Sequence, residues 1–306
     1  MFNKANPKIL GIAFVVLLAL VLIVQYTGSQ RGERSFKSEL IPFTADEINE
    51  VQIAPDNSDS YSLVKEGDSW KVRQGNRLYT ANENRVSQVL DQLANLKVNQ
   101  VVATSPDNWG QYQVSDSLAT QVEVNAGDES VGLRIGKLNF DRRTRSAVSY
   151  VRQAGDDNVY GVDGFLKMTF GRDVNAYRQR ALVSLSGGAT LSKISFAHPA
   201  DSSFVLEKNN NQWMIEGRVA DSASVAGYIN KIKNLKGSTF ADVEEPDMSN
   251  PMHKVSIEGE QQIAVSVKQI DGEWIIHSSL TPDAYFLDSQ GTLRRKLFVS
   301  KRKLLQ

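Results

Sequence analysis

The 306 residues carry 35 basic and 35 acidic side chains and no cysteine. A formal net charge of zero gives no support for a nucleic-acid partner, because nucleic-acid binding calls for a strongly basic surface. Without cysteine the chain has no disulfide, no thiolate metal ligand, no cysteine nucleophile and no acylated lipoprotein cysteine. The length is sufficient for two domains of ordinary size, each with its own core.

The most apolar stretch runs from Ile9 to Val24, where every residue is apolar or glycine. At about 1.5 Å per residue, a helix over residues 7–26 matches the roughly 30 Å hydrocarbon core of a bilayer. The ring of Tyr26 would then lie at the membrane interface. Residues 1–26 are therefore predicted to form a short tail and one transmembrane anchor, so that the lipid bilayer is the first expected partner.

A cleaved secretory signal is a second interpretation of this stretch, and cleavage after Ser29 would fit it. A buried soluble helix is disfavoured because the stretch has no polar face. Basic residues lie on both sides, at Lys4 and Lys8 and again within 31–37, so their count does not set the orientation. Export of the long C-terminal part is the usual route for such chains. The prediction is a single-pass protein of the inner (cytoplasmic) membrane, with a cytoplasmic N-terminus and a periplasmic or extracytoplasmic bulk.

After the anchor the chain is predicted to form a tether and then a series of strands. Residues 27–47 are polar and mixed in charge, which is typical of a spacer. From Ile48 onward, short runs alternate polar and apolar residues between turn-rich stretches. This alternation predicts strands that bury one face.

A helix is predicted next, because apolar side chains recur at three- and four-residue steps at Val86, Val89, Leu90, Leu93 and Leu96. Thr80 and Glu83 have the spacing of a capping box at its start. The apolar face of this helix is expected to cover a sheet. Further strands, and one or two short helices within 164–180, complete a predicted first α+β domain over residues 48–184.

The pattern then begins again, which indicates an internal duplication. Trp70 and Trp213 are 143 residues apart, and seven positions share this displacement. The triplet Asn-Leu-Lys around Leu96 recurs around Leu235 at a displacement of 139. The second copy is predicted over residues 189–306, and these two tryptophans and two leucines are predicted to be structural anchors of the copies. The predicted fold class is α+β: a single N-terminal transmembrane helix followed by two similar repeated domains, each an antiparallel-rich sheet covered by a helix.

A basic cluster near the C-terminus is a candidate contact for anionic headgroups or for an acidic face of a partner. It consists of Arg294, Arg295, Lys296, Lys301, Arg302 and Lys303. The competing interpretation is a solvated, frayed C-terminus.

The sequence contains few motifs that are typical of catalytic, metal-binding or nucleotide-binding sites. His198, His253 and His277 are the only histidines, and no two have the short spacing of a metal pair, so a zinc site would require distant residues to converge. Asp56 opens a sequence like a calcium loop, but the glycine and glutamate of such a loop are missing, which favours a polar hairpin turn. The sequence has no Gly-x-Ser-x-Gly and no phosphate-binding loop. No catalytic residue, metal or cofactor is predicted, and the protein is expected not to be an enzyme.

Several short motifs resemble those of the domain-of-unknown-function family 4340, over most of residues 45–290. They are the hairpin tryptophan, Trp109-Gly110-Gln111-Tyr112, Ile135-Gly136, Tyr150-Val151-Arg152 and the run from Tyr177 to Leu182. Members look like single-pass envelope proteins, often encoded beside an ABC transporter of the gliding-motility type with its Gld-like permease or auxiliary subunit. The resemblance implies an accessory or scaffold component of such a transporter and transfers no catalytic residue.

Two other functions remain open at this point. One is a stand-alone envelope binding module for glycan, or for a peptide strand that adds to an exposed sheet edge. The other is a hydrolase whose site is assembled from scattered residues.

Overall fold

The chain folds into two antiparallel sheets of nine strands each in the computed structural model, which describes residues 39–142, 145–187, 190–199, 202–241, 243 and 245–306. The predicted transmembrane helix lies outside these residues. Within the described part of the chain, no helix is long and apolar enough to cross a membrane.

The first sheet has the strand order β4-β3-β2-β1-β6-β7-β8-β9-β5, with all neighbours antiparallel. Its strands are β1 Glu50–Ala54, β2 Tyr61–Glu66, β3 Ser69–Gln74, β4 Arg77–Thr80, β5 Val98–Ala103, β6 Thr120–Ala126, β7 Glu129–Asp141, β8 Ser146–Gln153 and β9 Val159–Asp163. Its helices are α1 Glu83–Ala94, α2 Trp109–Tyr112 and α3 Leu166–Phe170.

The second sheet repeats this order as β13-β12-β11-β10-β15-β16-β17-β18-β14. Its strands are β10 Leu191–Ala197, β11 Phe204–Asn209, β12 Gln212–Ile215, β13 Arg218–Val219, β14 Thr239–Phe240, β15 His253–Gly259, β16 Ile263–Ile270, β17 Glu273–Ser278 and β18 Thr281–Leu287. Its helices are α4 Ser222–Ile232, α5 Thr292–Leu297 and α6 Lys301–Leu304.

The strand register confirms the repeated fold residue by residue. Lys65 lies opposite Trp70 in the β2–β3 hairpin, and Lys208 lies opposite Trp213 in the β11–β12 hairpin. A slip of one residue would turn every side chain of a strand to the other face. The shared register therefore follows from a shared pattern of buried positions, which is the pattern that repeats in the sequence.

Each repeat has its own hydrophobic core, between one face of its sheet and one long helix. The buried side of α1 carries Val86, Val89, Leu90 and Leu93, and the buried side of α4 carries Val225, Tyr228 and Ile232. The prediction that a helix covers each sheet is thus confirmed for both copies.

The predicted capping box at the start of α1 is wrong. The N-cap residue is Asn82, whose side chain accepts a hydrogen bond from the Arg85 N–H at 3.2 Å. Thr80 instead ends β4, and Glu83 accepts a hydrogen bond from the backbone N–H of Trp70 at 3.0 Å. Pairing of β4 with β3 continues to Thr80, so the backbone cannot turn into a helix before that point.

The first repeat begins within the segment that was predicted as a tether over residues 27–47. Leu40 and Phe43 are buried in the first core. Leu182 and Leu185 are buried in the second core at the equivalent place, before the predicted start of the second domain. Each repeat therefore begins with a short leading segment that carries its own apolar residues.

Each repeat also ends with a closing segment, residues 164–177 in the first repeat and 291–304 in the second. Apolar side chains of each closing segment are buried against the core of its own repeat. The two segments correspond at a displacement of 127, which pairs Gly164 with Gly291, Leu166 with Leu293, Phe170 with Leu297 and Tyr177 with Leu304. The Tyr177 carbonyl accepts a hydrogen bond from the N–H of Asn82 at 2.7 Å, and the Leu304 carbonyl accepts one from the N–H of Asp221 at 2.9 Å. The interpretation of the C-terminus as solvated and frayed is therefore wrong, because α5 and α6 complete the second core.

Candidate functional site at the seam between the repeats

The two repeats meet along a seam formed by β4 and the linker 178–180 on one side and by β14 and β18 on the other. The Gln179 N–H donates to the carbonyl of Thr80, and the Gly237 N–H donates to the carbonyl of Arg180, both at 2.8 Å. The linker is therefore hydrogen-bonded to both repeats, which fixes the seam.

One carboxylate ties the edge strand of the first sheet to the second repeat. Asp283 on β18 accepts hydrogen bonds from the backbone N–H of Thr80 at 2.6 Å and from its hydroxyl at 2.8 Å. Hydrogen bonds to an ionised acceptor are stronger than neutral ones. The seam is thus stabilised by polar contacts between the repeats.

Arg178 lies between one aromatic ring from each repeat. Its guanidinium carbon is 3.7 Å from the ring centre of Tyr79 and 3.8 Å from that of Phe240. Burial lowers the pKa of Arg178, and Tyr79 and Asp283 oppose this effect. Its Nη1 donates to the side-chain oxygen of Asn175 at 3.1 Å, whereas its buried Nε has no partner among the residues that the structure describes. This stack forms one wall of the site.

A cleft of about 1020 Å³ opens along the seam. Its lining combines aromatic, amide, apolar and charged side chains, and these are Gln74, Asn76, Arg77, Leu78, Tyr79, Val174, Asn175, Arg178, Phe240, Ala241, Val243, Glu245, Pro282, Asp283 and Tyr285. Charges of both signs and several aromatic rings in one concave surface are typical of binding sites rather than of a packed interior.

The edge strand β4 presents backbone groups to this cleft. Thr80 directs both its N–H and its carbonyl into the seam, as the contacts to Asp283 and Gln179 show. Because residues two apart in a strand point their backbone groups the same way, Leu78 also directs its N–H and carbonyl to that side. The Leu78 side chain is 41 % exposed. An extended segment could therefore pair with β4 inside the cleft.

Tyr285 of β18 also lines the cleft. Its ring stacks on that of His277 with centres 4.8 Å apart. Burial raises the pKa of Tyr285, and the nearby carboxylates of Glu245 and Asp283 raise it further. The phenol therefore stays protonated at neutral pH, so that it can donate a hydrogen bond to a ligand.

The predicted anchor residues lie away from this cleft. Trp70, Leu96 and Leu235 are buried, and Trp213 is half-buried against the second core.

Two members of the basic cluster near the C-terminus are paired with carboxylates, and the other four are exposed. Arg294 stacks on Trp274 at 3.7 Å and donates to buried Asp288, and Lys301 forms an ion pair with Glu216. The remaining members, Arg295, Lys296, Arg302 and Lys303, are exposed.

The motifs that carry the family resemblance have packing roles in the first repeat. Buried Arg152 stacks on Trp109 at 3.8 Å and donates to Asp116 at 3.1 Å. A side chain at Gly136 would lie 2.1 Å from the carbonyl oxygen of Tyr112, so only glycine fits there. These motifs hold the segment around α2 onto β7 and β8.

Two distant histidines do converge, although their sequence spacing gave no sign of it. The Nδ1 atoms of His198 and His253 are 3.1 Å apart. In the part of the chain that the structure describes, no group of three or more histidine, aspartate or glutamate side chains could hold a metal ion. The pair lies against Phe298 of the closing segment, with ring centres 5.5 and 5.2 Å away.

Sequence reasoning missed the residues that build the cleft. Arg178 lies in the run that carried the family resemblance, but nothing in that run indicated aromatic rings on both of its faces. Asp283 and Thr80 are 203 residues apart and belong to different repeats. Only a correct arrangement of the two repeats could have brought them together.

Comparison with known proteins supports the resemblance without adding a function. The family described as "Domain of unknown function (DUF4340)" matches residues 70–252, a span that includes β4, the linker 178–180 and β14 and ends before β18. No curated protein and no solved structure matches this chain. The match covers more than half of the chain, and the protein therefore belongs to the DUF4340 family.

Proposed function

We propose that this protein is a non-enzymatic, membrane-anchored extracytoplasmic accessory or scaffold subunit of an ABC-transporter complex, and that the seam cleft is where it holds its partner. The observation that carries the proposal is the edge of β4, which offers the backbone of Leu78 inside a cleft built by both repeats. Pairing of an extended segment with a sheet edge is a recurrent mode of peptide recognition.

The chemistry of the cleft supports a protein segment as the occupant. Backbone pairing with β4 would supply affinity, and side-chain pockets would supply specificity. Apolar Leu78 and Val243 suit apolar side chains, while Arg77 and Glu245 suit charged ones. The predicted anchor over residues 9–24 would hold this cleft close to a permease or auxiliary subunit. The gliding-motility type of transporter is the one that the family resemblance suggests.

A matched pair of variants tests the proposal. Leu78→Pro removes the N–H that faces the cleft, and proline is tolerated where an edge-strand N–H points away from the sheet. Val219→Pro makes the same change at the edge strand β13 of the second repeat, on the side of that sheet opposite the seam. Full-length protein would be purified in mild detergent from its native membrane, and co-purifying proteins would be identified.

We expect permease or auxiliary subunits with the unmodified protein and with Val219→Pro. We expect a loss of at least tenfold with Leu78→Pro and with a version that lacks residues 1–26. Recovery of the protein alone in every case would overturn the transporter proposal. Equal recovery with both proline variants would overturn the role of the cleft.

A stand-alone envelope binding module is the second candidate, and the lining of the cleft favours it. Tyr79 and Tyr285 offer aromatic faces, and Asn76 and Asn175 offer amide groups, a combination that also suits a glycan. Binding of a glycan or peptide by the purified protein, with no co-purifying transporter subunit, would favour this candidate. A hydrolase is the remote alternative, and Asp283 is a poor catalytic carboxylate because both of its oxygens accept hydrogen bonds from Thr80.

The exposed basic residues of the closing segment are proposed as a second partner contact. Arg295, Lys296, Arg302 and Lys303 would act through charge, so their effect should fade at high salt. Changing these four to glutamine in the same purification should lower recovery of the partner at low salt only. Unchanged recovery at low salt would remove them from the interface.

A further inference from the structure

An exposed apolar patch lies at one end of the first repeat. Phe140, Phe165 and Met168 are 47 %, 44 % and 56 % exposed, and the rings of the two phenylalanines are 6.2 Å apart. Met168 lies one helical turn after Phe165 and donates its N–H to the Phe165 carbonyl at 3.0 Å. Exposed apolar clusters of this kind mark contact surfaces more often than scattered apolar residues do.

The fold does not require this patch, because the second repeat lacks it. At the equivalent positions of the closing segment, Phe165 is replaced by Thr292 and Met168 by Arg295. Phe140 lies on the extended β7–β8 hairpin, whereas the equivalent β16–β17 hairpin turns tightly just after Ile270. The same architecture is thus built with and without the apolar side chains, so their presence in the first repeat points to a contact.

The patch is bordered by positive charge. Arg142 and Arg145 are exposed at the end of the same hairpin, next to the strand that carries Phe140. Aromatic rings beside basic side chains suit the interface of an anionic membrane, where the rings enter the headgroup region and the cations meet the phosphates.

Glu39, which lies 13 residues after Tyr26 in the sequence, meets the first sheet at the same end. Glu39 forms a β-bridge with Lys97, and the next residue, Val98, lies opposite Val162 of β9. Phe165 follows three residues after Val162. From Tyr26, at the end of the predicted anchor, the chain to Glu39 reaches at most about 45 Å when fully extended. A tether of this length allows this end of the first repeat to reach the bilayer surface.

We propose that Phe140, Phe165 and Met168, together with Arg142 and Arg145, dock the first repeat on the anionic lipid surface of the membrane that holds the anchor. The inference rests on the proposed membrane anchoring. Docking would orient the repeat on its tether, so that the seam cleft is presented at a fixed angle to partners in the membrane.

The absence of native cysteine allows a direct test with single labels. Met168→Cys and, as a control, Val219→Cys would each carry a polarity-sensitive fluorophore. Val219 is 57 % exposed, which matches Met168, but it lies on the edge of the second sheet opposite the seam. The full chain would be placed in nanodiscs of phosphatidylcholine and phosphatidylglycerol that contain a lipid-borne quencher.

We expect the label at position 168 to be quenched several-fold more than the label at 219. The change Phe140→Ser with Phe165→Ser should abolish this difference, and nanodiscs without phosphatidylglycerol should reduce it. If the label at 168 remains as exposed to water as the control, the docking proposal is overturned. That outcome would leave a protein partner as the occupant of the patch.

The failure of anchoring is distinguishable from the failure of docking. Resistance of the full chain to alkaline extraction from native membranes reports anchoring alone. Where the chain is extracted, the same labelled chain would be mixed with phosphatidylglycerol vesicles that carry the quencher. Selective quenching at position 168 would then support the patch without the anchor, and equal signals at both positions would overturn it.

Discussion

The two repeats share one topology and one register, yet they differ in the surfaces that they expose. In the first repeat Phe165 and Met168 face solvent on the closing segment, whereas the second repeat has Thr292 and Arg295 there. Buried positions of the two segments remain apolar in both copies. The comparison shows that packing constrains the interior of a duplicated fold and leaves each surface free to acquire its own contacts.

The edge strands differ in the same way. β4 lies in the seam, where Asp283 of the other repeat binds Thr80, while the equivalent β13 contains the exposed Val219. An unpaired sheet edge is a place where other chains can add. In this protein the contact between repeats partly covers one edge and makes it part of a cleft.

Substitutions of buried residues in the closing segments are expected to have the largest effect on stability. Phe170 and Leu297 are equivalent and fully buried, so Phe170→Ala should lower the free energy of unfolding of the first repeat by about 3–5 kcal/mol, and Leu297→Ala that of the second by about 2–5 kcal/mol. Denaturant titration followed by tryptophan fluorescence measures both. Thr292→Ala, at an exposed position, is the control. A cost below about 0.5 kcal/mol for Leu297→Ala would contradict the role of α5 in the second core.

Removal of the contact between Asp283 and Thr80 should lower the free energy of unfolding by a smaller amount. Asp283→Ala leaves the N–H and hydroxyl of Thr80 without their acceptor and should cost about 1–3 kcal/mol. Asp283→Asn keeps one acceptor oxygen and should cost less. The same titrations should show the two repeats unfolding at more widely separated denaturant concentrations in Asp283→Ala. Coincident transitions in that variant would mean that other contacts couple the repeats.

Substitutions of the two hairpin tryptophans should differ in their cost to stability by a still smaller amount. Trp70 is 7 % exposed, whereas Trp213 is half-buried, so Trp70→Phe removes more buried apolar area than Trp213→Phe. We expect the cost for Trp70 to exceed that for Trp213 by about 1 kcal/mol. Thermal unfolding of the two variants gives the comparison, and a larger cost for Trp213→Phe would contradict it.

The smallest expected effect is a dependence on pH that is confined to the second repeat, which holds all three histidines. Burial lowers the pKa of both His198 and His253, and at His253 the neighbouring imidazole and Arg294 lower it further. The folded state therefore binds these protons less readily than the unfolded state does. Stability is complete above the unfolded pKa of about 6.5, and it decreases as the pH falls towards the lowered folded pKa values.

Unfolding of each repeat, measured between pH 7.5 and 5.5, tests this dependence. Only the second repeat should lose stability in this range, and changing His198 and His253 together to glutamine should remove most of the loss. An equal loss in both repeats, or a loss that persists in the double variant, would count against the histidine pair as its source.

Much of the fold could be predicted from the sequence, but little of the candidate site could. Periodicity predicted most strands and both long helices, because alternation and three- to four-residue steps reflect local burial. The same reasoning missed β4, where it placed the start of a helix, and it missed β13 and β14, which have two residues each and therefore no period. It also placed Leu40 in a tether, and it left a solvated, frayed C-terminus open as an interpretation of the basic cluster within 294–303, since a few apolar residues among many polar ones give a weak local signal.

The cleft could not be predicted from the sequence, for a different reason. Its wall depends on Tyr79 and Phe240, which come from different repeats and meet only through Arg178. No local pattern encodes how one repeat is placed against another. The duplication could be predicted, whereas the surface between the copies required the structure.

Site-specific photocrosslinking in the native membrane tests the central claim most directly, namely that the cleft beside β4 receives the partner. A photoreactive amino acid would replace Leu78 in one version of the full-length protein and Val219 in another, since both side chains are exposed on equivalent edge strands. We expect position 78 to crosslink to a transporter permease or auxiliary subunit and position 219 to give at most a faint product. Equal products at the two positions, or none at position 78, would contradict the account.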